Sequence, residues 1–177
     1  MDNELVLLAE KIATAAEKSF LSLFENNESY YYCVLVTTGE ALCPFISAWS
    51  LEALEAFSNI KSHEDANLSK WFYGNSPYVN FGEENFEIVR QLFSERELDL
   101  DNETEYFKEI DFRLEAMVLA MEMMDRSGVF SLNQLRSEVY INVEVVPPDS
   151  SNTIRALRLN KKEDILDWLN EAAEEDV

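Results

Sequence analysis

Residues 29–48 constrain the fold more than any other stretch. They read Ser-Tyr-Tyr-Tyr-Cys-Val-Leu-Val-Thr-Thr-Gly-Glu-Ala-Leu-Cys-Pro-Phe-Ile-Ser-Ala. Two apolar runs rich in strand-forming residues flank a Thr-Gly-Glu turn. The first run, 30–37, is apolar on both alternating sets: Tyr31, Cys33 and Leu35 on one, Tyr30, Tyr32, Val34 and Val36 on the other. Such a strand is covered on both faces. Gly39 offers positive φ for a two-residue turn at 38–39, which sets Val34 opposite Cys43 and points Cys33 and Cys43 to opposite faces as free thiols. A three-residue loop at 37–39 would instead place the two cysteines opposite each other. The return strand is expected at 41–46, at an edge or bulged, because Pro44 cannot donate to a ladder.

Most of the remaining chain carries helical period. In 3–24, Leu5, Leu8, Ile12, Ala16, Phe20 and Leu23 recur every three or four residues. Ser50 is an N-cap for a helix over 51–60. Residues 62–67 form a polar break holding the single histidine, His63. Trp71-Phe72-Tyr73 follows; three consecutive rings cannot all point one way, so at least one reaches the surface or a groove. Residues 83–97 read as a third helix, with Glu83, Glu84 and Glu87 suited to the positive end of its dipole. Residues 99–105 are an acidic linker. A long helix is expected from about 103 to 126 on the stripe Phe107, Ile110, Leu114, Met117, Val118, Met121 and Met124, with Gly128 as its stop.

Residues 139–146 alternate Val139, Ile141, Val143 and Val145 against Glu138, Tyr140, Asn142 and Glu144, implying a strand with one buried and one wet face. A loop at 147–152 and a return strand at 153–159 complete a second hairpin. A helix over 161–173 ends in an acidic tail, 171–177, expected to fray. The expected fold is α+β: a single domain over residues 1–177, with one antiparallel sheet of two hairpins packed with about five helices.

The charge bounds the function. The chain has 35 acidic and 14 basic residues, a net charge of -21. That field disfavours nucleic acid and anionic membrane, and it favours a basic protein partner or simply solubility. With 47% hydrophobic residues the chain can bury a core despite its charge. The N-terminus lacks the basic start of a secretory signal, and no apolar run suggests a membrane span, so a cytoplasmic protein is expected.

Chemistry-bearing motifs are scarce. The two cysteines and one histidine make no zinc pattern. The four glycines make no phosphate-binding loop, and no metalloprotease motif occurs. Asp99, Asp101, Glu103 and Glu105 alternate like calcium-loop oxygens but lack that loop's turn glycine and closing glutamate spacing. No catalytic, metal-binding or cofactor-binding residue is therefore assigned. The candidates for partner contact are Tyr73, Glu83, Glu84, Glu87, Asp99, Asp101, Glu103 and Glu105.

The Tyr-rich strand at 30–36, the helix entry Ala48-Trp49-Ser50-Leu51-Glu52-Ala53-Leu54, Trp71-Phe72-Tyr73, the strand at 139–146, Pro148-Asp149 and Leu159-Asn160 together resemble a bacterial domain-of-unknown-function family, number 4303. The resemblance spans nearly the whole chain. It implies a small acidic protein like the immunity proteins of toxin systems, with no catalytic residues to carry over. The expected function is binding: an acidic protein that neutralises a basic, toxin-like partner by occluding it. A housekeeping or regulatory domain and a carboxylate-only enzyme are the alternatives. The enzyme would require a cavity holding two carboxyl groups with pKa values pushed apart.

Overall fold

A computed structural model describes residues 3–174. Its centre is a three-stranded sheet in the order β2-β1-β3, with β1 at Tyr30–Thr38, β2 at Phe45–Ser50 and β3 at Tyr140–Val146. The α+β class holds, but the sheet is mixed: β2 runs antiparallel to β1, and β3 runs parallel to it. Seven α-helices are described: α1 Asn3–Phe24, α2 Leu51–Ile60, α3 His63–Ser69, α4 Glu87–Glu95, α5 Glu103–Arg126, α6 Ser150–Leu159 and α7 Leu166–Glu171.

Helices cover both faces of the sheet. Cys33, Leu35, Ile46, Ala48, Ile141 and Val143 share one apolar cluster with α1, α4 and α5. Tyr32, Val34, Val36, Trp49 and Tyr140 share the other with residues of α2, α6 and α7. The doubly apolar β1 is thus central, as its sequence requires.

The first hairpin is longer than its turn residues suggest. Val34 pairs with Ser47, Cys33 with Ala48 and Val36 with Phe45. Gly39 is not the positive-φ residue; Ala41 is, at φ 49°, and its N–H donates to the Thr38 carbonyl at 2.8 Å. Thr37 Oγ1 donates to the Leu42 carbonyl at 2.6 Å, tying the loop down. β2 therefore begins just after Pro44, where a missing N–H costs the ladder nothing. Both cysteines are free, Cys33 buried and Cys43 half-buried in the loop. Burial raises both thiols, Cys43 to about 11.

The second hairpin does not form. Residues 153–159, expected as a strand, belong to α6. Asp149 caps that helix by accepting from the Ser151 N–H at 2.8 Å, and Asn152, Ala156 and Leu159 bury one helical face. α6 then takes the place of a fourth strand. The Asn152 side chain accepts from Val145 N–H at 2.8 Å and donates to Val145 C=O at 3.2 Å. Arg155 Nε donates to Val143 C=O at 2.8 Å. Asn160 accepts from Ile141 N–H at 3.1 Å and donates to Ile141 C=O at 2.7 Å. The edge of β3 is thereby satisfied by side chains and closed to a further strand.

Because α6 and α7 pack over it, β3 has no wet face; Tyr140, Asn142 and Glu144 are all buried. The expected polar break at 62–67 is also helical: Ser62 caps α3 by accepting from the Asp65 N–H at 3.0 Å. The helix expected over 83–97 divides into a 3-10 turn, Glu83–Phe86, and α4. The closing helix likewise begins as a 3-10 turn, Lys162–Ile165, and continues as α7. α1, α2 and α5 lie where the sequence places them, and Gly128, at φ 85°, follows the end of α5. Of the expected acidic tail, residues 175–177 lie outside the described residues. Within them, Glu171 accepts from Trp71 Nε1 at 2.7 Å and the Glu174 carbonyl accepts from Thr153 Oγ1 at 3.0 Å.

Candidate functional site

Two features stand out from the scaffold: an aromatic-walled cavity at the end of β3 and an acidic segment on the opposite apolar layer's helices. The cavity has a volume of about 110 Å³. Its wall includes Trp71, Tyr73, Glu144, Trp168 and Glu174. A wider cleft of about 500 Å³ adjoins it and shares Trp71, Phe72 and Ala172.

The cavity follows from the pleat. Tyr32 of β1 and Tyr140 of β3 are directly paired in the parallel register, so their rings stack at 5.6 Å between centroids. Trp168 of α7 stacks on Tyr140 at 4.6 Å, and Trp71 meets it edge-on at 5.9 Å. Trp71 is held by its Nε1 bond to Glu171, and Lys70 Nζ lies 4.7 Å from the centre of its ring while pairing with Glu171 at 3.0 Å. Glu144 lies two strand positions beyond Asn142 on the same face as Tyr140, so the period-two geometry directs its carboxyl group to this aromatic cluster.

Glu144 is 9% exposed, and no cation is hydrogen-bonded to it among the described residues. Its carboxylate accepts from Tyr32 Oη at 2.7 Å and from Tyr140 Oη at 3.3 Å. Burial pushes its pKa up to about 7, against the pull of the two phenols, and the neighbouring Glu174 adds to the rise. Glu174 is raised too, by burial first. Its Oε2 and the Oδ1 of Asn142 are buried with no hydrogen-bond partner among the described residues. The nearby guanidinium of Arg155 is occupied by the Val143 carbonyl and by Asn152 Oδ1, 2.6 Å away.

Among the residues expected to meet a partner, Tyr73 lines this cavity. The acidic ones stand elsewhere, on the segment from Glu83 to Glu105. That segment holds nine carboxylate residues against two arginines. Glu83, Glu84, Glu87, Glu95, Glu97, Asp99, Asp101, Glu103 and Glu105 are all exposed. Glu87 pairs with Arg90 at 3.2 Å and Glu105 with Lys108 at 2.6 Å. Arg96 is turned inward to Glu109 at 2.7 Å. Exposed apolar side chains interrupt the acids: Ile88 at 62%, Leu100 at 81% and, just beyond, Phe107 at 54%. The structure does not bring Tyr73 and the acidic segment into one site.

Sequence reasoning missed Glu144, Glu174 and Trp168. The signal for Glu144 was its place in a strand between two valines, which reads as a wet face unless the covering helix is known. His63 is exposed with its Nδ1 2.8 Å from Ser58 Oγ, and neither residue lines the cavity. No group of three or more His, Cys, Asp or Glu is placed to hold a metal among the described residues, and no described helix is long and apolar enough to cross a membrane.

A family model described as a domain of unknown function, DUF4303, matches residues 10–161. No curated protein and no solved structure matches the chain.

Proposed function

This chain belongs to the DUF4303 family, and we propose that it is a non-catalytic binding protein that occludes a basic protein partner, as an immunity protein of a bacterial cytoplasm occludes a toxin. The observation that carries this reading is the segment from Glu83 to Glu105, with its nine exposed carboxylates and two arginines. Exposed charge of one sign steers an oppositely charged partner and raises the encounter rate. It contributes little holding energy by itself. Ile88, Leu100 and Phe107, standing exposed among the acids, supply the apolar area that slows dissociation.

A carboxylate-only enzyme has one observation in its favour: Glu144 and Glu174 share a cavity wall. Acid–base work needs the two pKa values split, one group protonated and the other not. Both groups are displaced upward, each chiefly by burial; what favours the binding reading is the exposed acidic segment, which lies outside that cavity. The test is co-purification with the product of the adjacent gene. A basic partner retained at low salt and released as salt rises is expected. An adjacent product that is not a toxin, or tight binding indifferent to salt, overturns the reading.

A further inference from the structure

We propose that the cavity between Trp71, Trp168 and Glu144 is a binding site for an alkylammonium group, a function separate from the acidic segment. The charge of Arg155 reaches both of its carboxyl groups, but no cation is hydrogen-bonded to either among the described residues. Glu144 receives only two phenolic hydrogens, and Glu174 Oε2 is buried without a partner among the described residues. No basic side chain contributes to the wall. Two neighbouring cations are committed elsewhere in their hydrogen bonds: Arg155 to Val143 and Asn152, Lys70 to Glu171. Glu144, buried, and Glu174, half-buried, share the charge of one guanidinium that bonds neither, so an occupant carrying positive charge and hydrogen-bond donors is the one that compensates the site.

The wall fixes the rest of the ligand. Tryptophan rings attract cations through their faces and accept an apolar stem equally well. The ammonium of Lys70 already lies over Trp71 from outside. A volume of about 110 Å³ holds a chain of a few heavy atoms, about the space of three or four waters. An ammonium has three donors on one atom, so it can serve Glu144 and Glu174 together while each Glu144 oxygen keeps its tyrosine. A guanidinium, whose planar fork seeks both oxygens of one carboxylate, suits this geometry less well. Two sources carry the same chemistry: a free small amine, or a lysine side chain of another protein entering from the adjoining cleft.

The test uses the full chain at pH 8, titrated with n-butylammonium chloride and followed by the indole signals of Trp71 and Trp168. n-Butanol at equal concentration and sodium chloride at equal ionic strength are the controls. Saturable binding by butylammonium is expected, with none by butanol. Affinity should fall about tenfold from pH 8 to pH 6 as Glu144 takes up its proton. Glu144→Gln and, as a second variant that disturbs no tyrosine bond, Glu174→Gln should each weaken binding about tenfold while keeping the native near-ultraviolet spectrum. N-acetyl-lysine methylamide separates the sources: binding as tight as butylammonium points to a lysine side chain, and binding by butylammonium alone points to a free amine. No saturable binding, equal binding by butanol, or wild-type affinity in both variants overturns the proposal.

Discussion

Replacing Glu144 with glutamine should make this protein more stable at neutral pH, and the gain can be worked out from its surroundings. Glu144 is 9% exposed, and its pKa rises from 4.5 to about 7 in the folded chain. Between those two values the native state holds a proton that the unfolded state has released. Stability therefore falls as pH rises through this window and is fully present below about 4.5. At 1.36 kcal/mol per pKa unit, ionising the buried carboxyl costs about 3 kcal/mol. Glutamine mimics the neutral acid: its carbonyl accepts from Tyr32 and its amide can donate to the Tyr140 hydroxyl oxygen. Relative to wild type, the variant should gain about 3 kcal/mol between pH 4.5 and pH 8. Glu174, Arg155, Tyr32 and Tyr140 face the same carboxyl and remain in both proteins, so the difference isolates Glu144. Urea unfolding followed by tryptophan fluorescence, at half-unit pH steps, measures it. A difference that stays flat with pH, or that moves in favour of wild type as pH rises, refutes the reasoning.

Three further outcomes follow from the packing. Asn152→Ala removes both side-chain bonds to Val145 and should cost about 3 kcal/mol in urea unfolding, because it strands a buried N–H and C=O on the edge of β3. Arg113, 2% exposed, bonds Glu109 at 2.8 Å and the carbonyls of Phe93 and Arg96; Arg113→Met should cost about 3 kcal/mol by the same assay, since it leaves those acceptors without their donor. Thiol titration at neutral pH should find Cys43 slow and Cys33 slower in the native protein, because burial raises both above their ordinary values, with both reacting at once in urea.

Parts of this fold were legible from local signals, and other parts depended on a neighbour that sequence does not name. Ser50 marks its helix because a hydroxyl that accepts from the Ala53 N–H acts within one turn. The stripes of α1 and α5 are equally local. Residues 153–159 read as a strand because Thr153 and Ile154 have strand-forming shapes, while the signal that decides the matter, the Asp149 cap, lies upstream. The hairpin turn lies further along than Gly39 suggests, because the chain does not use that residue's flexibility and Ala41 takes the left-handed position. The parallel pairing of β1 and β3 joins residues separated by more than a hundred positions, which no local pattern records. Tyr73 lines the cavity, in keeping with three adjacent rings that cannot all point one way. Glu144 was hidden because alternation tells which residues share a face, and a helix decides whether that face is wet.

The central claim is that charge on the segment from Glu83 to Glu105 brings a basic partner to this protein. The most direct measurement is the association rate between the purified chain and the adjacent gene's product, at about 50 and 500 mM salt. Glu84→Lys/Glu97→Lys/Asp101→Lys is compared with wild type. The account predicts a wild-type rate that falls about tenfold or more across that range, and a variant rate that is slow at low salt and nearly independent of salt. A rate unchanged by salt and by the three reversals would contradict it.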